Sequence, residues 1–251
     1  MTNSSPTLPS DLPLAKNSLT KSNENAVTIK LQGSDRWFIV GKTGVGKTIL
    51  AKWLLNKKAK KKKIVIVADH LWRGKDKQGL AIPFIAKGPG TVDSPRVVKR
   101  FDKNLHVQIY LPTMPGWTDQ GLQKLYADVM KHGNVVIYID ELYKVIDSSH
   151  IQSSPRFLLL WTEGRKYGVE AWGGAQKPTY IPDIVMSQAE NWAVFRVIND
   201  DDLKKISKMT DTPDIRDHRI PKYFWWFWNQ EMDHAKLMKP IDTKKGGTHA
   251  H

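Results

Sequence analysis

The chain has 251 residues, 40% of them hydrophobic and 25% charged, with a formal net charge of +14. That length allows one large domain or two small ones with a substantial core, and the positive excess calls for a polyanionic partner, nucleic acid before an anionic membrane surface. With no cysteine, disulfides, zinc–thiolate centres and cysteine nucleophiles are excluded, and no run of about 18 apolar residues offers a membrane-spanning helix.

Residues 1–25 are rich in Ser, Asn, Thr, Pro and Lys without periodicity, so a flexible arm is expected there. They lack the apolar core of a secretory signal. Residues 26–31 read as a strand before a turn at Gly33, Ser34 and Asp35, and residues 36–40 as a short buried strand. Gly41-Lys42-Thr43-Gly44-Val45-Gly46-Lys47-Thr48 then fits G-x-x-x-x-G-K-[ST] in full, a phosphate-binding loop. Residues 48–55 follow as a helix, with Ile49, Leu50, Trp53 and Leu54 on one face. The motif thus joins a strand to a helix N-terminus, where backbone N–H groups and the helix's partial positive charge favour an anion. Gly41, Gly44 and Gly46 let the backbone curl around phosphate oxygens. Lys47 is expected to reach the β- and γ-phosphates of ATP and Thr48 to hold Mg2+, while Lys42 and Thr43 shape the loop.

Residues 57–63 hold six lysines and one alanine. Two readings stand: a solvated helix end, where cations are favourable, or a contact to nucleic-acid phosphates. A buried strand over 64–67 ends at Ala68, Asp69 and His70. Residues 71–104, with Gly74, Gly79, Gly88, Pro89 and Gly90, read as mixed and loop-rich. Residues 107–111 read as a strand ended by Pro112. In the helix expected over 119–131, Leu122, Leu125, Tyr126, Val129 and Met130 recur with the helical period, and His132, Gly133 and Asn134 stop it.

The apolar strand Val135-Val136-Ile137-Tyr138-Ile139 delivers two carboxylates, Asp140 and Glu141, at its exit. In a parallel sheet that exit lies beside the phosphate loop. Asp140 is then expected to bind Mg2+, directly or through water, and Glu141 to polarise the attacking water as general base. Ser154 and Pro155 start a helix as N-cap and first residue, carrying Phe157, Leu158, Leu160 and Trp161 and ending around 164–168. A strand over 169–175 has polar Gln176 at its exit before Lys177 and Pro178 break away. Residues 191–197 read as another strand and 200–209 as a short helix. Residues 223–228 and 235–238 read as a hairpin. Its aromatic run is a strand packed on the sheet, a base-stacking platform or a subunit contact. The tail, 242–251, is expected to be disordered.

Strands alternating with helices give a three-layer α/β domain over 26–241, with a mostly parallel central sheet and a C-terminal β-hairpin. The phosphate loop, Asp140-Glu141 and Gln176 supply phosphate binding, water activation and a γ-phosphate sensor, the parts that hydrolysis needs.

On the phosphate loop, the strand into Asp140-Glu141, and Gly164-Arg165-Lys166-Tyr167-Gly168-Val169 leading to Gln176-Lys177-Pro178, the chain resembles the FtsK–HerA superfamily of nucleic-acid-pumping ATPases. Within that superfamily it looks like the genome-packaging ATPases of membrane-containing bacterial and archaeal viruses, over about residues 33–240 including the hairpin. The resemblance implies a RecA-like (ASCE) P-loop NTPase fold and a homo-oligomeric ring, hexameric or otherwise, around double-stranded DNA, with ATP bound between subunits. It implies Gln176 as sensor and an arginine supplied by the neighbour, Arg165 first and Arg156 second. It also implies a cytoplasmic protein of the infected host, incorporated at a virion vertex through capsid or viral-membrane proteins.

Other readings remain at this point: a plasmid-transfer or DNA-processing motor, a small-molecule kinase, or a nucleotide-gated DNA-binding scaffold with little turnover. A kinase has no use for Glu141 as a water activator or for the +14 charge.

Overall fold

The computed structural model describes residues 29, 31, 35–61, 63–68, 96–110, 119–146, 154–217 and 219–241. The arm over 1–25, most of the expected strand over 26–31, Gly33 and Ser34, Asp69 and His70, the glycines between 74 and 90, Leu111, Pro112 and the tail lie outside the described residues.

The described strands form one sheet. They are β1 (Trp37–Val40), β2 (Ile64–Ala68), β3 (Arg96–Val98), β4 (Val107–Tyr110), β5 (Val135–Ile139), β6 (Val169–Ala175), β7 (Asn191–Phe195), β8 (Trp225–Asn229) and β9 (Lys236–Met238). Their order is β3-β4-β2-β5-β6-β1-β7-β8-β9. From β3 to β7 every neighbouring pair is parallel, and β8 and β9 add an antiparallel edge. β1, β2 and β5 are near-continuous Val, Ile and aromatic runs because both faces of the sheet are covered, and β6 (Val-Glu-Ala-Trp-Gly-Gly-Ala) is buried throughout as well. Alternate residues part to the two sides: Phe38 and Val40 enter one core, Trp37 and Ile39 the other.

One face is covered by helix α1 (Lys47–Lys60), the other by α2 (Asp119–His132), α3 (Pro155–Glu163) and the short α4 (Asp183–Met186), with α5 (Asp200–Thr210) added beyond β7. Three layers result, as expected from the alternation of elements. The periodic face of α2 is buried throughout, from Leu122 to Met130, and left-handed Gly133 and Asn134 end it. Asn199 caps α5, its side chain accepting from the Asp201 and Asp202 amides.

Several sequence expectations need correction. The inward face of α1 is Leu50, Ala51, Leu54, Leu55 and Ala59, whereas Ile49 is 45% exposed and Trp53 only partly buried. The helix is apolar on more than one side, and the four-residue rows starting at Leu50 and Ala51 face the sheet. Pro155 does open α3, but the Ser154 side chain makes no capping bond. Residues 96–98, within the stretch read as mixed without an assigned element, form edge strand β3. The strand read over 191–197 ends at Phe195.

Neither reading of the lysine run over 57–63 holds for the run as a whole. Lys58 is fully buried and pairs with Glu170 at 2.7 Å and Asp35 at 3.3 Å. Lys63 joins Glu170, Lys61 donates to the Leu31 carbonyl at 2.6 Å, and Lys57 lies over the Trp53 ring. Burial pushes the Glu170 carboxyl up, and Lys58 and Lys63 pull against it. The aromatic run is likewise internal: Trp225, Phe227 and Trp228 are buried, Phe227 stacks on Trp37 at 5.7 Å and Trp225 on Phe195 at 6.0 Å. Of its three readings, the packed strand is the one adopted.

Candidate active site

Strands β5, β6 and β1 are adjacent and run the same way, so their exits meet at one end of the sheet. In register, Val40 stands beside Ala175, and Ile139 beside Gly173. The next residues along the chain are therefore the phosphate loop, Gln176 and the Asp140-Glu141 pair. The loop is pinned between two strand exits: the Gly41 amide donates to Ala175 O and the Lys42 amide to Arg196 O, both at 3.2 Å. Gly46 caps α1 at φ +109, a conformation that a side chain would strain. Among Lys47's contacts are the loop's own carbonyls, Gly41 O at 2.7 Å and Lys42 O at 3.1 Å.

Gln176 ties the parts together. Its Oε1 accepts from the Thr43 hydroxyl at 2.8 Å, and its Nε2 donates to Glu141 Oε1. Glu141 is only 3% exposed and takes a left-handed backbone, φ +49, uncommon outside glycine and typical of constrained functional positions. Its second oxygen, Oε2, is buried and accepts no hydrogen bond from the described residues. Burial raises the Glu141 carboxyl above its ordinary value, Asp140 adds to the rise, and Gln176 and Lys47 oppose it. Burial lowers the Lys47 ammonium, against the pull of both carboxylates. The mutual influence places Lys47 within electrostatic reach of Asp140 and Glu141.

These groups line one cavity of about 410 Å3, together with Thr48, Gly44 and Gly46. The volume lies in the range of small-ligand sites. A triphosphate with Mg2+ fits the donor set: a glycine loop and a lysine for phosphate oxygens, a hydroxyl and a carboxylate for a hard cation that keeps water and phosphate as its other ligands. The buried, unpartnered Glu141 Oε2 is an acceptor suited to a water molecule.

Three contributors escaped the sequence. The Tyr138 hydroxyl donates to Asp140 Oδ1 at 3.0 Å, and the two residues share a strand side, a period-two signal that was there to be read. Gly174 makes room for this pair, because a Cβ there would lie 2.4 Å from the Tyr138 hydroxyl and 2.9 Å from Asp140 Oδ1. Tyr223, 43% exposed and left-handed at φ +69, lines the cavity near Gly46, far from the motifs in sequence.

The two arginines are elsewhere. Arg165 sits in the turn before β6, at the strand end opposite Gln176, with the seven residues of β6, about 23 Å, between them. It is half exposed and pairs with Glu190 at 2.7 Å, which also holds buried Arg36 at 3.0 Å. Arg156 is exposed in the first turn of α3.

No protein-family model matches the chain. It is 23% identical over 231 residues to the DNA packaging ATPase P9 of enterobacteria phage PRD1, spanning 86% of this chain and 92% of P9, and the two are homologous. The solved structure of the genome packaging NTPase B204 from Sulfolobus turreted icosahedral virus 2, in complex with ATP-gammaS, matches with a TM-score of 0.66 at 20% identity, over 84% of this chain and 100% of that one. The cytoplasmic domain of the Thermomonospora curvata Type VII secretion ATPase EccC matches with a TM-score of 0.51 at 14% identity, over 82% of this chain and 25% of that one. The fold is therefore that of an α/β P-loop NTPase with a mostly parallel sheet.

Proposed function

We propose that this chain hydrolyses ATP at the joined exits of β1, β5 and β6 and uses the reaction to move double-stranded DNA into a viral capsid. The observation that carries the chemistry is the bridge made by Gln176 between Thr43 of the phosphate loop and Glu141. The homologue P9 is named a DNA packaging ATPase, B204 a genome packaging NTPase solved with an ATP analogue, and the +14 charge suits a nucleic-acid substrate.

In this reading the amides of residues 41–48 and the Lys47 ammonium hold the β- and γ-phosphates. Thr48 and Asp140 would hold Mg2+, which neutralises developing phosphate charge. Glu141 takes a proton from the attacking water at Oε2, and its raised pKa makes it a stronger base than a solvated carboxylate. Gln176 touches both loop and base, so it senses whether a γ-phosphate is present. Tyr223 offers its ring to the nucleotide at the cavity wall.

Arg165 serves a neighbouring subunit's site in a ring, a hexamer in our reading, with Arg156 as the second candidate. Leaving Glu190 strands no buried acid, since Arg36 still pairs with it. The ATPase domain spans residues 26–241 and acts in the host cytoplasm, docking at a capsid or membrane vertex. Among the described residues no helix is long and apolar enough to cross a membrane.

The test is ATP turnover with and without duplex DNA. The wild type is expected to turn over ATP and to accelerate with DNA. Lys47→Ala is expected to lose about 100-fold or more of the turnover. Full turnover by Lys47→Ala contradicts the site.

A further inference from the structure

Lys58 of the lysine run is fully buried, and Lys57, Lys61 and Lys63 are tied to a ring, a carbonyl and a carboxylate beside them, while Lys60 and Lys61 remain exposed. A second concentration of positive charge lies on the β3 edge. Arg96, Lys99, Arg100 and Lys103 are exposed within eight residues that contain a single acid, Asp102. The last turn of α2 adds Lys131 and His132. Between the β3–β4 crossover and that turn runs a cleft of about 940 Å3, lined by Lys99, Arg100, Lys103, Lys131 and His132. Its two acids are engaged: Asp128 pairs with Lys124 at 3.3 Å, and Asp102 Oδ1 accepts from the Asn104 amide at 2.9 Å.

The crossover is braced. Gln108 is fully buried on β4, and its amide accepts from the Asp102 N–H at 3.0 Å and donates to the Leu105 carbonyl at 2.8 Å and to the Asp102 carbonyl. Phe101 packs against the core and meets the His132 ring edge-on at 5.4 Å. The cations therefore project from a fixed frame, which lowers the ordering cost of binding. Among the described residues of the cleft, Phe101 is partly buried against the core, so they offer no exposed apolar anchor of the kind that makes a protein–protein hot spot. They also lack the apolar face with which a helix enters a lipid surface.

We propose that this cleft binds the sugar–phosphate backbone of nucleic acid, one strand of a duplex, without reading bases. The proposal takes duplex DNA as ligand from the function proposed above. The cleft itself is independent of the nucleotide site: β3 is five strand positions from β1, about 24 Å.

The experiment is fluorescence anisotropy of a labelled duplex with the full chain over a salt series. It compares wild type, the single variants Lys99→Ala, Arg100→Ala and Lys103→Ala, and a variant with all three changed to Glu. DNA-free ATP turnover is measured alongside as the control for an intact nucleotide site. Each alanine is expected to reduce the slope of log affinity against log salt by about 0.9. The triple reversal is expected to weaken binding by about 100-fold or more while DNA-free turnover persists. Wild-type affinity and slope in the triple variant overturn the proposal. So does a wild type that binds anionic vesicles or an acidic peptide but no duplex. If the triple variant keeps DNA-stimulated turnover, the cleft assignment fails and the translocase reading stands. If the wild type binds duplex through these residues but hydrolyses no ATP, the cleft stands and the motor reading fails.

Discussion

Glu141 is the residue on which local physics and chemistry pull apart. A carboxylate 3% exposed, with one oxygen unpartnered and a left-handed backbone, destabilises the fold in the charged state. Its folded pKa is raised above the ordinary 4.5, so the folded state binds the extra proton. Stability attached to this group is therefore present at low pH and lost as pH rises through the folded value. Glu141→Gln is expected to melt higher than wild type at neutral pH, with a gap that narrows as pH falls through that value toward 4.5. Thermal melts of the two apo proteins across that range check it; a gap that widens on acidification contradicts it. That Lys47, Thr48, Asp140, Glu141 and Gln176 meet around one cavity was legible, because each follows a strand or opens a helix. Gly174 was not, since the room it leaves for the Tyr138–Asp140 pair exists only when β5 and β6 lie side by side.

At the level of elements, α1 teaches the most. Its start at the glycine loop was plain, but its orientation was not, because it is apolar on more than one side and burial chose the rows through Leu50 and Ala51. Its basic end looked like surface, yet Lys58 points into the protein at Glu170 and Asp35. No periodicity announces such a pair, since the partners lie on β6 and in the segment before β1. Lys58→Met is expected to destabilise the protein by about 2–3 kcal/mol, because Glu170 and Asp35 lose the buried cation they share while Glu170 keeps Lys63. Adding Glu170→Leu is expected to recover part of the loss. Urea midpoints of the single and double variants measure this, and a neutral Lys58→Met contradicts the account. In contrast α2 and β5 were read almost to the residue, since each has a clean apolar pattern and a definite stop.

For the whole molecule, the parallel sheet was foreseeable from alternating elements, whereas the strand order was not. Insertion of β6 between β5 and β1 is a tertiary choice, and it brings Gln176 between Thr43 of the loop and Glu141. The same strand carries the Arg165 turn to the opposite end, out of reach of its own cavity. If Arg165 works in a neighbour, mixing Arg165→Ala subunits with Glu141→Gln subunits restores part of the turnover that each lacks alone. Absence of rescue at every ratio contradicts a shared site. The central claim, that the joined exits of β1, β5 and β6 bind ATP and hydrolyse it with Glu141 as base, is tested most directly by measuring ATP affinity and turnover together in Glu141→Gln. The account predicts near wild-type ATP affinity with turnover reduced by about 100-fold or more. Turnover within a few-fold of wild type would contradict it.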